Sequence, residues 1–210
     1  MFTKISIYRA RVDANTAHDE AAHRCHGVLS AQPGFQGRLL ARSFQDQSEC
    51  ADVIQWDSLE HGRAAFAAVS VDPGVRSWLE QVDLTSVKMY GMRTNGVISR
   101  PERGLSDAAV GAWLLVRWRT LEGVDPVAHA RNELLMHHEA FAPVPGYLGA
   151  HVLRQIDGPE WMELIAWPSF EVGQNRVETI LGAAHPTVRS HMADCAADSS
   201  LHWYRPILRA

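Results

Sequence analysis

The stretch "PGFQGRLLARSF" begins at Pro33 and "PGYLGAHVLRQI" begins at Pro145, with the glycines and the aromatic ring in the same places 112 residues apart. The echo continues downstream. Trp56-Asp57-Ser58-Leu59-Glu60 is answered by Trp167-Pro168-Ser169-Phe170-Glu171 at an offset of 111, and Asp72 to Trp78 by His185 to His191 at 113. Ser86 to Tyr90 returns as Ser200 to Tyr204. A repeat at a nearly fixed period constrains the whole architecture, because each copy must be one folding unit. There are two copies and no third.

Within a copy the periodicity switches between strand and helix. "FTKISIYR" alternates like a strand, and "NTAHDEAAHRCHGVLSAQ" has helical spacing with Asn15 or Thr16 as its cap. "GRLLARSF" and "CADVIQW" are strands either side of a polar turn, a second helix starts at Ser58, and "SVKMYG" closes the copy as a strand. Each half is therefore βαββαβ, the ferredoxin-like unit, whose antiparallel sheet carries helices on one face only. The other face needs a cover. The expected fold is α+β, with tandem ferredoxin-like repeats forming an intramolecular dimeric α+β barrel. Residues 1–92 form the first repeat and 112–210 the second. Residues 93–111, rich in Gly, Arg and Ser without a sustained period, are expected to form a surface linker.

Composition limits the partners. The 20 basic and 24 acidic residues give a net charge of −4 with no Lys/Arg-rich run, so no nucleic acid is expected. No apolar run approaches the roughly 20 residues of a membrane helix, and Met1 to Ile5 leads into an alternating segment rather than a signal-peptide core; no membrane partner is expected, and the default location is cytoplasmic. Cys25, Cys50 and Cys195 fall at non-equivalent places, as buried thiols do and disulfide or zinc frameworks do not.

The pattern "PGF" with a following glycine, then a strand ending in Trp-x-Ser-x-Glu, then a helix leading to Pro-x-Val-Arg-Ser, resembles the antibiotic biosynthesis monooxygenase family of the dimeric α+β barrel superfamily. Both halves carry it. The superfamily also holds polyketide cyclases, isomerases, haem-binding enzymes and stress proteins, so the fold does not by itself select the chemistry. The resemblance to quinone-forming members implies a pocket between sheet and helices. There Trp56 or Trp167 and an arginine about twenty residues later, Arg76 or Arg189, hold an aromatic polyketide. Those members place an asparagine four residues before the tryptophan, where this chain has Asp52 and Glu163.

Strand alternation puts Asp52 with Trp56, and Glu163 with Trp167, on one face. A desolvated carboxylate can take the proton of a phenol or anthrone, whose anion then reduces O2, while an arginine stabilises the developing charge. The expected catalytic residues are thus Asp52, Arg76, Glu163 and Arg189. Trp56, Trp167, His138, His185, His191 and Trp203 are expected to bind substrate, the last four making the second copy the better grip on a polycyclic ligand. The plain alternative is that the tryptophans are core and the arginines sit in local surface pairs. "HRCH" at His23 to His26 is answered by "LMHH", so no metal is expected. The function expected is monooxygenation of a polycyclic aromatic substrate with O2 and no bound cofactor; reduced flavin as a diffusible co-substrate and a homodimer are both compatible. A cofactor-free cyclase or isomerase, or a ligand-binding or stress protein, is the competing function.

Overall fold

The computed structural model describes residues 1–11, 15–99, 105, 107–183 and 185–209. The first copy runs β1 (Phe2–Ala10), α1 (Asn15–Ser30), β2 (Phe35–Ser43), β3 (Glu49–Trp56), α2 (Leu59–Val69), α3 (Pro73–Leu79) and β4 (Val82–Ser99). The second runs β5 (Ala112–Arg119), α4 (Pro126–Met136), a π-helical turn (His137–Phe141), β6 (Gly149–Gln155), β7 (Glu160–Trp167), α5 (Phe170–Gly182), α6 (Pro186–Ala193) and β8 (Ser200–Arg209). In the first copy the strands hydrogen-bond in the order β4-β1-β3-β2, and in the second β5-β7-β6.

The repeated motifs explain the repeated turns. In each Pro-Gly the glycine has positive φ, +77° at Gly34 and +94° at Gly146, where side chains are strained. At Gly34 a Cβ would also run into Asp57 and His61, which pair with each other at 2.6 Å. Ser58 and Ser169 cap α2 and α5 by accepting from the backbone N–H of His61 and Val172. The segment after each cap, expected to be one helix, is two. Pro73 and Pro186 lack an N–H for a continuing helix and sit instead in the first turn of α3 and α6, with Asp72 and His185 as caps.

The expected linker at 93–111 is shortened from its start, because β4 continues to Ser99. Gly91 and Gly96 interrupt the alternation that would have revealed the strand, although Thr94, Val97 and Ile98 are good strand residues. Leu105 and Val110, also inside that range, are buried rather than on the surface. Positions 100–104 and 106 lie outside the described residues. Two compact units follow the repeats except at β4 and β8. Met1–Arg93 and Tyr204–Ala210 belong to the first, and Ala108–Trp203 to the second together with the end of β4 from Thr94. In the first unit the end of β8 pairs with β2, from Ser43↔Tyr204 to Leu39↔Arg209. That unit's core includes Tyr8, Ala22, Leu40, Cys50, Val82 and Leu208, and the second packs Trp118, Val152 and Trp161 together. No helix among the described residues is long and apolar enough to cross a membrane.

Candidate active site

In the first copy β1 pairs antiparallel with β3 so that Ser6 lies opposite Asp52. Both face a cavity of about 410 Å³, between the sheet and the helices α2 and α3. This falls within the range of roughly 300–1,000 Å³ that small-molecule sites occupy. Its polar groups include Lys4, Ser6, Tyr8, Asp52 and Ser70; Phe66 and Trp78 supply aromatic faces, and Ile54, Val75, Val87 and Met89 are among its aliphatic walls.

A buried arginine sits behind the carboxylate. Arg38 on β2 donates from Nε to Asp52 Oδ1 at 2.8 Å and from a terminal nitrogen to Oδ2 at 2.9 Å, and its other terminal nitrogen donates to the Ala22 carbonyl at 3.0 Å. Such a bidentate pair fixes the carboxylate in one plane and uses two of its roughly four acceptor sites. Lys4 stands two residues before Ser6, its ammonium 3.5 Å above the Phe66 ring. Burial lowers its pKa and Asp52 opposes the shift. Burial raises Tyr8 well above its ordinary value, and its hydroxyl hydrogen-bonds His18 Nε2 at 2.9 Å. With Asp52 balanced by Arg38 behind the wall, Lys4 is left as the cation of the lining, an environment suited to an anionic ligand.

The second copy keeps the framework and changes the charges. β5 lies on β7 with Val116 opposite Glu163, and the associated cavity is only about 120 Å³. The Tyr8–His18 contact becomes Trp118 Nε1 donating to His129 Nε2 at 3.0 Å. Trp78, edge-on to Tyr8, becomes His191, edge-on to Trp118. The position of Arg38 is Ala150 by register, so imidazoles rather than a guanidinium face Glu163: His137 Nε2 is 3.3 Å from its Oε2. Glu133 lies between His137 and His191, wholly buried. Burial alone would raise its pKa, but the two imidazoles prevail and hold it at about 2. Burial would lower His191, but Cys195 and Glu133 lift it to about 10.

Of the residues expected from sequence, Asp52, Glu163 and His191 line cavities. Arg76 and Arg189 do not: both are exposed on α3 and α6, where the inward residues are Val75 and Val188. The guanidinium beside Asp52 comes from β2, and only the place of Arg38 beside the apolar Leu39-Leu40-Ala41 run hinted at it. Trp56 and Trp167 are fully buried beneath α2 and α5 and line neither cavity. Gly62 and Gly173 let those helices approach, since a Cβ would come within 3.2 Å of Trp56 and 2.8 Å of Trp167. Trp203 likewise packs on Gly173 and on Phe170, at 5.5 Å between rings. His138 is exposed, and its neighbour His137 is the buried one; the helices align at an offset of 111, as His18 and His129 show, rather than 112. His185 caps α6, bonding Thr187. Lys4, Arg38 and Trp78 were missed because their partners come from other elements, whereas Glu133 and His137, four residues apart on one helical run, have a spacing that sequence could have shown.

No family model matches the chain, and no curated protein matches it in sequence. Solved structures match over its whole length. A protein from Lactobacillus acidophilus NCFM, assigned as a monooxygenase, is 13% identical with a TM-score of 0.73, covering 100% of this chain and 95% of its own. An anthrone oxidase-like protein is 14% identical with a TM-score of 0.68, over 100% and 92%. A ferredoxin-fold protein related to antibiotic biosynthesis monooxygenases, from Listeria monocytogenes 4b F2365, is 10% identical with a TM-score of 0.53, over 98% and 94%. The chain thus shares the α+β fold of these proteins, with its two ferredoxin-like copies in tandem.

Proposed function

We propose that the protein is an oxygenase of polycyclic aromatic, polyketide-type phenols or anthrones, working in the first-copy cavity. The observation that carries this is the about 410 Å³ cavity in which Asp52, held by Arg38, shares a wall with Lys4, Tyr8 and the ring of Trp78. Phe66 and Trp78 offer faces to a fused-ring ligand. Asp52 accepts the substrate proton on an oxygen site that Arg38 leaves open, and Lys4 stabilises the resulting enolate or phenolate. The anion passes one electron to O2, the radical pair combines to a hydroperoxide, and loss of water leaves the quinone carbonyl. One O2 is consumed per substrate, with one oxygen atom in the product and one in water. Both pairs of electrons come from the substrate, so the reaction balances without flavin, metal or haem.

The structural relatives support an oxygenase through fold alone. Turnover of an anthrone under ¹⁸O2 tests it: one labelled atom in the quinone and one O2 consumed per substrate are expected. Turnover without O2 uptake would replace it by a cyclase or isomerase. Saturable binding of the anthrone with no turnover would make the protein a ligand carrier.

A further inference from the structure

Four side chains of ligand type converge in the second copy. Glu133 on α4 and His137, one turn later at the start of the π-helical turn, meet Glu163 from β7 and His191 from α6. His137 Nε2 lies 3.3 Å from Glu163 Oε2 and 3.5 Å from Glu133 Oε1, while His191 Nδ1 closes on Glu133 Oε2. One ligand atom each from Glu133, Glu163 and His191 fits within 4.8 Å of the others. Around a tetrahedral ion with ligands at about 2.0 Å, donor atoms are separated by about 3.3 Å.

These groups meet as ion pairs but without hydrogen-bond geometry. Both oxygens of Glu133, His137 Nε2 and His191 Nδ1 are buried and make no hydrogen bond, although Glu133 and His137 are wholly inaccessible to solvent. Buried polar atoms normally make hydrogen bonds of good geometry, because each one left unmade costs on the order of 1–3 kcal/mol. The far side of each ring, by contrast, is held: Tyr147 hydroxyl bonds His137 Nδ1 at 3.0 Å, and Cys195 Sγ meets His191 Nε2 at 3.4 Å. Outer contacts of this kind orient metal-binding imidazoles. The π-helical turn begins at His137, whereas α1 of the first copy is an unbroken α-helix from Asn15 to Ser30. Such turns concentrate at functional sites.

We infer that Glu133, His137, Glu163 and His191 bind one divalent first-row transition ion, with two imidazole and two carboxylate donors suited to Zn²⁺, Mn²⁺ or Fe²⁺. Glu163 and His191 also line the about 120 Å³ cavity, which would give the ion access to small ligands. His129, His191 and Cys195 offer ligand spacing beside it, but His129 accepts from Trp118 at 3.0 Å and pairs with Asp194 at 3.1 Å, so both its nitrogens are engaged. The first copy has Ala22 and Trp78 where the second has Glu133 and His191, so the site belongs to the second copy alone. It is independent of the oxygenase chemistry assigned to the first.

Full-length protein stripped with chelator and titrated with Zn²⁺ tests this, with uptake counted by elemental analysis after gel filtration and thermal midpoints recorded alongside. One equivalent per chain and a raised midpoint are expected, and Glu133→Gln and His137→Gln should each weaken binding by more than the roughly 10- to 100-fold that outer-sphere partners cost. Cys195→Ser should retain stoichiometric uptake. Should the glutamate and histidine variants not fold, Co²⁺ on the unaltered protein decides: ligand-field bands without a sulfur charge-transfer band are expected. Less than a tenth of an equivalent of Zn²⁺, a thiolate charge-transfer band, or loss of uptake in Cys195→Ser would each overturn the site.

Discussion

Removing either member of the Arg38–Asp52 pair leaves the other as an uncompensated charge in a buried place, 0% and 2% exposed respectively. Arg38→Met alone should therefore cost about 3–5 kcal/mol of stability, whereas Arg38→Met with Asp52→Leu should recover most of that loss, measured by urea unfolding. Recovery separates the pair's structural part from its chemistry. A second residue-scale expectation concerns His151 on β6, 5% exposed, whose Nδ1 has no partner. Burial lowers its pKa from 6.5 to about 4. The unfolded chain then takes up a proton at about 6.5 that the folded one refuses until about 4, so stability is full above pH 6.5 and falls as the pH drops between those values. The loss is on the order of 3 kcal/mol, and His151→Leu should flatten that part of the curve. An unchanged acid limb in the variant would remove His151 from the account.

At the scale of elements, the tryptophans that repeat at strand ends are explained by the helices above them. Gly62 on α2 lies against Phe2 and Trp56, and Gly173 on α5 against Trp203 and Trp167. Gly62→Ala or Gly173→Ala must push a ring or a helix aside, with an expected cost of about 1–3 kcal/mol in spite of alanine's better helix propensity. A stabilised variant in thermal unfolding would show that the contact is slack. This packing also explains what sequence could and could not say. Repeated Trp-x-Ser-x-Glu reported faithfully a strand end, a helix cap and a buried indole, all local features. It carried no information about which residues surround a cavity, because Arg38 reaches Asp52 from β2 while Lys4 and Trp78 join its cavity wall from β1 and α3. The arginines picked by spacing, Arg76 and Arg189, lie one residue past the inward-facing valines, a helical displacement of about 100° that turns a pocket residue into a surface one. Likewise an offset read as 112 in the first helix chose exposed His138 over buried His137.

For the whole molecule, duplication was legible because the period survives nearly end to end, yet β4 and β8 ignore the boundary that the repeat suggests. Residues from Tyr204 onward complete the first unit by pairing with β2. A chain truncated after Ser99 should consequently expose the edge of β2 and associate or aggregate rather than behave as a folded monomer, as sedimentation would show. Divergence inside the shared framework is the larger lesson. One copy kept a roomy cavity with a guanidinium-held carboxylate, and the other filled its smaller one with imidazoles and carboxylates. The oxygen chemistry proposed above belongs to the first cavity. Its most direct measurement is O2 consumption with an anthrone by folded Arg38→Met/Asp52→Leu protein and by Lys4→Met, with Arg76→Ala as the surface comparison. A loss of kcat of about 10²-fold or more in the first two is predicted, with Arg76→Ala at the unaltered rate. Full activity in the double variant, or its loss in Arg76→Ala, would place the oxygen chemistry outside this cavity.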